Sequence, residues 1–224
     1  MKKILFAIAV ALICAVSSEA KDWAGFGVFE KANESVKDSP DIVFMGNSIT
    51  EVWAKVDSAF FTEHNFVGRG ISGQTSCEML VRFRRDVIDL KPRVVLILAG
   101  INDIAENNGE IKLENVLGNI MSMCELAKVN GIRPVLCSVL PCNHLFWRKE
   151  LKPAGKVKEL NAMIIDYAQA EGLTYVDYYT PMAMPDGSLN PEYTDDGCHP
   201  TLPGYKVMED TLLARLKEVG ILLE

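Results

Sequence analysis

The sequence has few of the residues that metal sites and disulfide frameworks require. It contains three histidines among 224 residues and no Cys-x-x-Cys pair, so we expect no zinc site and no other metal. Five of the six cysteines lie beyond the first twenty residues, widely spaced: Cys77, Cys124, Cys137, Cys142 and Cys198. Because this set is odd and scattered, it predicts small buried thiols rather than a disulfide framework, with room for one disulfide.

Basic residues are fewer than acidic ones. The chain has 23 Lys and Arg against 30 Asp and Glu, a net charge of −7, and its basic residues form no stripe. Nucleic acids and anionic lipid surfaces attract proteins through clustered Lys and Arg. We therefore expect no nucleic-acid partner and no anionic membrane surface as a partner.

Only the N-terminus carries a long apolar run. The chain begins Met-Lys-Lys, continues with apolar residues over 4–16 and then reads Ser-Ser-Glu-Ala up to Ala20. A basic start, a short apolar core and small residues before a cleavage point are typical of a secretory signal peptide, and the run is too short to span a bilayer comfortably. We predict that residues 1–20 are a signal peptide cut near Ala20. Residues 21–224 then form one exported domain, periplasmic or secreted, with no stable membrane insertion.

Short apolar segments alternate with longer helical patterns along the rest of the chain. Strands are predicted over 42–45, 66–67, 94–99, 134–140 and 174–178, and helices over 76–90, 110–130, 155–171 and 204–219. This alternation predicts an α/β domain, a three-layer α/β/α sandwich with a five-stranded parallel sheet. In such sheets ligands bind at the carboxyl ends of the strands. Polar residues that follow the strands are therefore the candidates for a site.

The first predicted strand runs directly into Gly46-Asn47-Ser48. Ser48 and Glu51 fit the Ser-x-x-Glu capping box, so a helix cap is the simpler interpretation of the serine taken alone. A nucleophile is compatible with that role, because a turn that opens a helix also exposes the hydroxyl. Since a serine nucleophile needs a base and a group that orients the base, the choice depends on its neighbours.

His199 has a suitable partner close by in the sequence. Asp196 lies three residues earlier and Gly197 permits a tight bend, so Asp196 can accept a hydrogen bond from Nδ1 and leave Nε2 for the serine. The alternative is an Asp-Gly turn followed by a surface histidine. His144 follows the fourth strand at the same edge and is a competing base, whereas His64 precedes the second strand and is expected at the surface.

Three hydrogen-bond donors follow neighbouring strands at the same edge. They are the backbone N–H groups of Ser48 and Gly73 and the side-chain amide of Asn102. Donors fixed around a developing oxyanion each remove roughly 3 kcal/mol from the barrier of acyl transfer. Taken singly, a glycine such as Gly73 is more often just a turn residue, and an asparagine such as Asn102 is more often a helix cap or turn residue. Their occurrence together with a serine and a histidine indicates a hydrolytic site.

Four segments resemble, in order, the sequence blocks of the SGNH or GDSL hydrolases. Gly46–Thr50 resembles the nucleophile block, Gly70–Thr75 the glycine block, Gly100–Asp103 the asparagine block and Asp196–Pro200 the Asp-x-x-His block. The likeness spans about residues 41–205. It implies the flavodoxin-like SGNH hydrolase fold.

The same resemblance implies a role for each candidate residue. Ser48 would be the nucleophile, His199 the base and Asp196 the group that orients it, with the N–H groups of Ser48 and Gly73 and the amide of Asn102 as the oxyanion hole. One departure is that Asn47 stands where the family name has Asp. Asn47 keeps a hydrogen-bonding side chain but removes a charge beside the serine.

The expected activity is that of a serine esterase that needs no cofactor. Export and the lack of an amphipathic lid favour short acyl groups, above all acetyl, on a small-molecule or glycan ester. The family also contains lipases, lysophospholipases and thioesterases, and a catalytically silent carbohydrate-binding module on the same fold is an alternative of another class. Trp53, Trp147 and the tyrosines near position 178 are either substrate-stacking aromatics or core residues. The sequence gives no indication of oligomeric state.

Overall fold

The computed structural model describes residues 22–222, so the predicted signal peptide lies outside the described residues. The strands are β1 (Ile42–Gly46), β2 (Phe66–Gly70), β3 (Val94–Ile97), β4 (Arg133–Cys137) and β5 (Thr174–Val176). The α-helices are α1 (Glu30–Glu34), α2 (Ser48–Val56), α3 (Ser58–Glu63), α4 (Ser76–Asp86), α5 (Ile101–Ile104), α6 (Leu113–Val129), α7 (Pro153–Ala170), α8 (Tyr179–Met182) and α9 (Leu202–Glu218). Single 3-10 turns cover Ile88–Leu90 and Pro191–Tyr193.

The five strands form one parallel sheet in the order β2-β1-β3-β4-β5. Every residue of β1 and β3 is buried. Because successive residues of a strand point to opposite faces, both faces of the sheet are covered. The predicted three-layer, flavodoxin-like architecture is therefore confirmed. The strand order reverses between β1 and β3, which is where sheets of this kind form a crevice for ligands.

Several predicted boundaries are wrong by a few residues at the carboxyl edge of the sheet. β3 ends at Ile97, β4 at Cys137 and β5 at Val176, each two or three residues before its apolar run ends. The apolar residues beyond these points are buried in the loops that leave the sheet, so burial continues after strand pairing has stopped. Hydrophobicity alone does not separate these two states.

Trp53 belongs to the core, not to a binding surface. Its side chain is fully buried, its ring stacks on Tyr205 with centroids 5.6 Å apart, and Nε1 donates to Oε1 of Glu209 at 3.0 Å. Tyr178 is also fully buried. Both residues are therefore core residues and not substrate-stacking aromatics.

Within the described part of the chain, all five cysteines are free thiols, four of them buried and Cys77 exposed. In residues 22–222 there is also no helix with both the length and the apolar character that a membrane crossing requires.

Candidate active site

The turn after β1 packs directly against the end of β2. A Cβ atom added to Gly70 would lie 2.3 Å from the backbone nitrogen of Glu51 and 2.5 Å from the carbonyl oxygen of Asn47. Only glycine permits this approach. The turn that carries Ser48 is thereby held beside the loop that carries Gly73.

Asn47, rather than Ser48, caps helix α2. Oδ1 of Asn47 accepts the backbone N–H of Ile49 at 3.0 Å, and Ser48 is the first helical residue. The predicted capping box between Ser48 and Glu51 is wrong, because Glu51 accepts the N–H and the hydroxyl of Ser72 at 2.7 and 2.6 Å. The neutral Asn47 thus satisfies the helix terminus and leaves the Ser48 hydroxyl free for another partner.

The partner of Ser48 is His199. The Ser48 Oγ lies 2.8 Å from Nε2 of His199, and Nδ1 of the same ring lies 2.7 Å from Oδ2 of Asp196. The other carboxylate oxygen of Asp196 accepts the backbone N–H groups of Cys198 and His199, both at 2.8 Å. Partial burial would raise the pKa of Asp196, but these hydrogen bonds outweigh it and lower that pKa below its usual value. The carboxylate is therefore held in its charged form beside the imidazole.

The other two histidines have different partners. Nδ1 of His144 lies 2.8 Å from Oδ1 of Asn143, and its exposed ring packs against Gly197. Nδ1 of His64 lies 2.9 Å from the carbonyl oxygen of Phe60. The structure therefore brings Ser48 together with His199 and with neither of the alternatives.

The three predicted oxyanion donors surround one cavity. Ser48, Gly73, Asn102 and His199 all line an open cavity of about 300 Å³. Gly73 has a φ of +80°, a left-handed conformation that favours glycine. Asn102 is buried and donates one amide N–H to the carbonyl oxygen of Gln74 at 2.9 Å. Since an amide carries two such hydrogens, this bond occupies only one of them.

A buried carboxylate lies directly behind Asn102. Asp103 accepts the backbone N–H of Ser76 at 3.0 Å and its hydroxyl at 2.6 Å. Burial raises the pKa of Asp103 to about 6. These contacts join the start of α5, which carries Asn102, to the start of α4.

The sequence did not indicate Asn107 or Phe146, which help to complete the cavity, and it included Ser72 only as part of the Gly70–Thr75 segment. Trp147, one of the aromatic candidates, also lines it. The ring centroids of Phe146 and Trp147 lie 6.3 and 6.2 Å from that of His199. Two consecutive aromatics in a loop after β4, at the same edge as the serine, were the available signal.

The arrangement has the components of nucleophilic acyl transfer. A hydroxyl hydrogen-bonded to an imidazole, which is itself bonded to a carboxylate, can lose its proton as it attacks a carbonyl carbon. Donors beside the hydroxyl can stabilise the resulting oxyanion. Among residues 22–222, no group of three or more His, Cys, Asp or Glu side chains could hold a metal ion.

Known proteins resemble this chain over most of its length. A model of the GDSL-like Lipase/Acylhydrolase family matches residues 44–207. The crystal structure of a GDSL-like lipase from Bacteroides thetaiotaomicron VPI-5482 is 44% identical, covers 88% of this chain and 98% of that chain, and superposes with a TM-score of 0.84. A second crystal structure, from Bacteroides fragilis NCTC 9343, is also 44% identical, covers 89% of this chain and 99% of that chain, and gives a TM-score of 0.86.

Two more distant likenesses are narrower in what they show. An acetylxylan esterase from Geobacillus stearothermophilus is 17% identical, covering 80% of this chain and 94% of that chain with a TM-score of 0.61, which is a likeness of fold alone. The "Uncharacterized lipoprotein YqeF" of Bacillus subtilis (strain 168) is 29% identical over 100 residues, so the match spans 41% of this chain and 41% of that protein. The family match covers most of the chain, and the chain therefore belongs to the GDSL-like lipase/acylhydrolase family.

Proposed function

We propose that this protein is a serine esterase that removes short acyl groups, above all acetyl, from carbohydrate or small-molecule esters. The observation that carries the proposal is the unbroken hydrogen-bonded chain from Ser48 Oγ through His199 to Asp196, with separations of 2.8 and 2.7 Å. In this proposal Ser48 is the nucleophile, His199 the general base and Asp196 the group that orients the imidazole.

The reaction proceeds in two acyl transfers. His199 Nε2 takes the proton of Ser48 as Oγ attacks the carbonyl carbon, and the oxyanion is stabilised by the N–H groups of Ser48 and Gly73 and by the free N–H of Asn102. The tetrahedral intermediate collapses as His199 returns the proton to the departing alcohol, leaving an acyl-Ser48 ester. Water, deprotonated by the same imidazole, then hydrolyses that ester. Asp196 stays ionised throughout and stabilises the imidazolium.

The preference for short acyl groups is supported by the size of the cavity. About 300 Å³ is at the small end of ligand sites, and aromatic side chains bound part of it. An acetylxylan esterase shares the fold, so the fold is compatible with deacetylation of a polysaccharide. A lipase or lysophospholipase activity is the second candidate, favoured by the GDSL-like lipase that is 44% identical to this chain. A thioesterase activity is the remaining family alternative.

We further propose that the protein is exported and that residues 21–224 are the catalytic domain. The proposal rests on the signal-peptide pattern that ends near Ala20. The name of the Bacillus subtilis relative, a lipoprotein, agrees with passage across a membrane. Fractionation of expressing cells, followed by N-terminal sequencing of the protein, tests both statements. An uncut chain in the cytosolic fraction would overturn them.

Fluorophosphonate labelling and hydrolysis of p-nitrophenyl acetate test the esterase proposal. We expect the wild type to be labelled at Ser48, and Ser48→Ala and His199→Ala to lose nearly all turnover, about 10⁴-fold or more. His144→Ala is the matched control, because it removes an imidazole at the same edge of the sheet that does not contact Ser48. An active His199→Ala with an inactive His144→Ala would refute the assignment of the base. An unlabelled wild type would instead favour a silent carbohydrate-binding module.

A further inference from the structure

The loop after β4 is fixed to the loop after α5 by an arginine. Nη1 of Arg148 donates to the carbonyl oxygens of Ala105 and Glu106 at 3.0 and 3.2 Å. Nη2 of the same residue lies 3.3 Å from Oε2 of Glu106. Because the guanidinium binds both backbone and side chain, the two loops form one unit at the edge of the cavity.

Asn107 joins this unit to the oxyanion donors. Its Oδ1 accepts the indole N–H of Trp147 at 3.1 Å, and its Nδ2 donates to the carbonyl oxygen of Gly73 at 3.0 Å. Its backbone N–H donates to the carbonyl oxygen of Asn102 at 3.1 Å. The indole N–H is a donor only, so the Asn107 oxygen must face Trp147 and its NH₂ group must face Gly73. One side chain thus sets the position of the indole relative to the oxyanion hole.

Phe146 differs from Trp147 in this respect. The Phe146 side chain is 52% exposed and has no hydrogen-bonding group, although its ring meets that of Trp147 edge to face at 4.8 Å. Trp147 is half-buried and tethered through Nε1. Of the two aromatics, Trp147 is therefore the fixed wall of the cavity and Phe146 lies at its mouth.

We propose that Trp147, held by Asn107, limits the length of the acyl chain that the enzyme accepts. The proposal rests on the proposed esterase function and assigns its specificity to one wall. Trp147 and Ser48 line the same cavity of about 300 Å³, and the proposal places the indole in the path of a chain that grows from the carbonyl carbon. Because Asn107 holds the indole itself and Arg148 anchors the next residue of the loop, the indole keeps its position against a longer chain. Acetyl and other short acyl groups fit, and long chains are excluded.

The test compares kcat/KM for p-nitrophenyl octanoate and p-nitrophenyl acetate across matched variants. We expect Trp147→Ala to raise the octanoate-to-acetate ratio by about tenfold or more, since each additional methylene that a pocket admits adds to transition-state binding. Asn107→Leu, which keeps the bulk and loses both side-chain hydrogen bonds, should raise the ratio less. Trp147→Phe removes the tether together with part of the bulk of the wall and should shift the ratio in the same direction. Phe146→Ala should leave the ratio within about twofold of wild type.

The outcomes separate the two proposals. A wild type that hydrolyses acetate through Ser48 but shows no change of ratio in Trp147→Ala or Trp147→Phe would refute the role of Trp147 and leave the esterase proposal intact. A ratio that moves equally in Phe146→Ala would refute it as well, and so would a wild type that prefers octanoate. A wild type with no Ser48-dependent hydrolysis of any ester would overturn both proposals. Fluorophosphonate labelling of each variant verifies that it is folded at the site.

Discussion

Arg82 is a fully buried charge beneath the candidate active site, and its removal should be costly. Its Nη2 donates to the carbonyl oxygens of Gly46 and Arg69 at 2.9 Å, at the ends of β1 and β2. Its Nε donates to Oε1 of Gln74 at 2.5 Å, and its Nη1 pairs with Asp86 at 2.9 Å. Burial lowers the pKa of Arg82, and the Asp86 carboxylate opposes that change. The guanidinium therefore joins the end of β1, which leads into the turn that carries Ser48, to the end of β2 and to Gln74.

The expected magnitude follows from what Arg82→Met would leave behind. The Asp86 carboxylate would lose its cation, and three further acceptors would lose a charged donor while they remain buried. Breaking a buried ion pair from one side costs about 3–5 kcal/mol of unfolding free energy. For a domain of this size that corresponds to a drop in Tm of about 6–20 °C. The turn that carries Ser48 and the loop that carries Gly73 would also lose their common anchor, so kcat on p-nitrophenyl acetate should fall in the folded variant.

Urea unfolding followed by tryptophan fluorescence measures the effect, because Trp53 is fully buried. Arg84→Met is the matched control, since Arg84 is an exposed residue of the same helix, and it should change the unfolding free energy by less than about 0.5 kcal/mol. Adding Asp86→Asn to Arg82→Met should recover part of the loss by removing the unpaired carboxylate. A loss below about 1 kcal/mol in Arg82→Met, with an unchanged kcat, would refute the reasoning.

Three further predictions concern the site itself. Asp196→Asn keeps an oxygen for the backbone N–H groups but loses the charge beside His199. We expect kcat on p-nitrophenyl acetate to fall by about 10³- to 10⁴-fold with little change in Tm. A fall in kcat of less than tenfold would contradict this expectation. In Gly73→Ala the added Cβ meets no neighbouring atom, but the alanine must adopt a φ of +80°. The unfolding free energy should therefore fall by about 1 kcal/mol, and kcat should also fall. If neither value changes, the backbone at this position is unstrained. Burial raises the pKa of Asp103 to about 6, so the folded state binds this proton more tightly than the unfolded state does. The unfolding free energy should therefore fall as the pH rises from about 4 to about 7, by up to about 3 kcal/mol. Urea unfolding of wild type and Asp103→Asn across that range checks the sign, which would be wrong if the wild type gained stability relative to the variant as the pH rose.

A local sequence pattern indicates the buried pair of Arg82 and Asp86, but only the structure shows what the pair binds. Arg82 and Asp86 lie four residues apart on the face of α4 that carries the buried Met79 and Phe83. Charged residues on an apolar helical stripe signal a buried pair. Which carbonyl groups the guanidinium binds depends on how the ends of β1 and β2 meet, and no pattern within the helix contains that information.

The sequence by itself determined the features that depend on near neighbours along the chain. Apolar runs separated by helical patterns specified the parallel sheet, and the three-residue spacing of Asp196 and His199 made their pairing one of two interpretations, which the structure then decided. Only the tertiary structure decided that Ser48 contacts His199, 151 residues away in the chain. It also decided that Asn47 is the helix cap, and that Trp147 lines the cavity whereas Trp53 lies in the core. The physical reason is that a local hydrogen bond is limited by a few backbone angles, whereas a contact between distant segments is set by the packing of whole helices and strands.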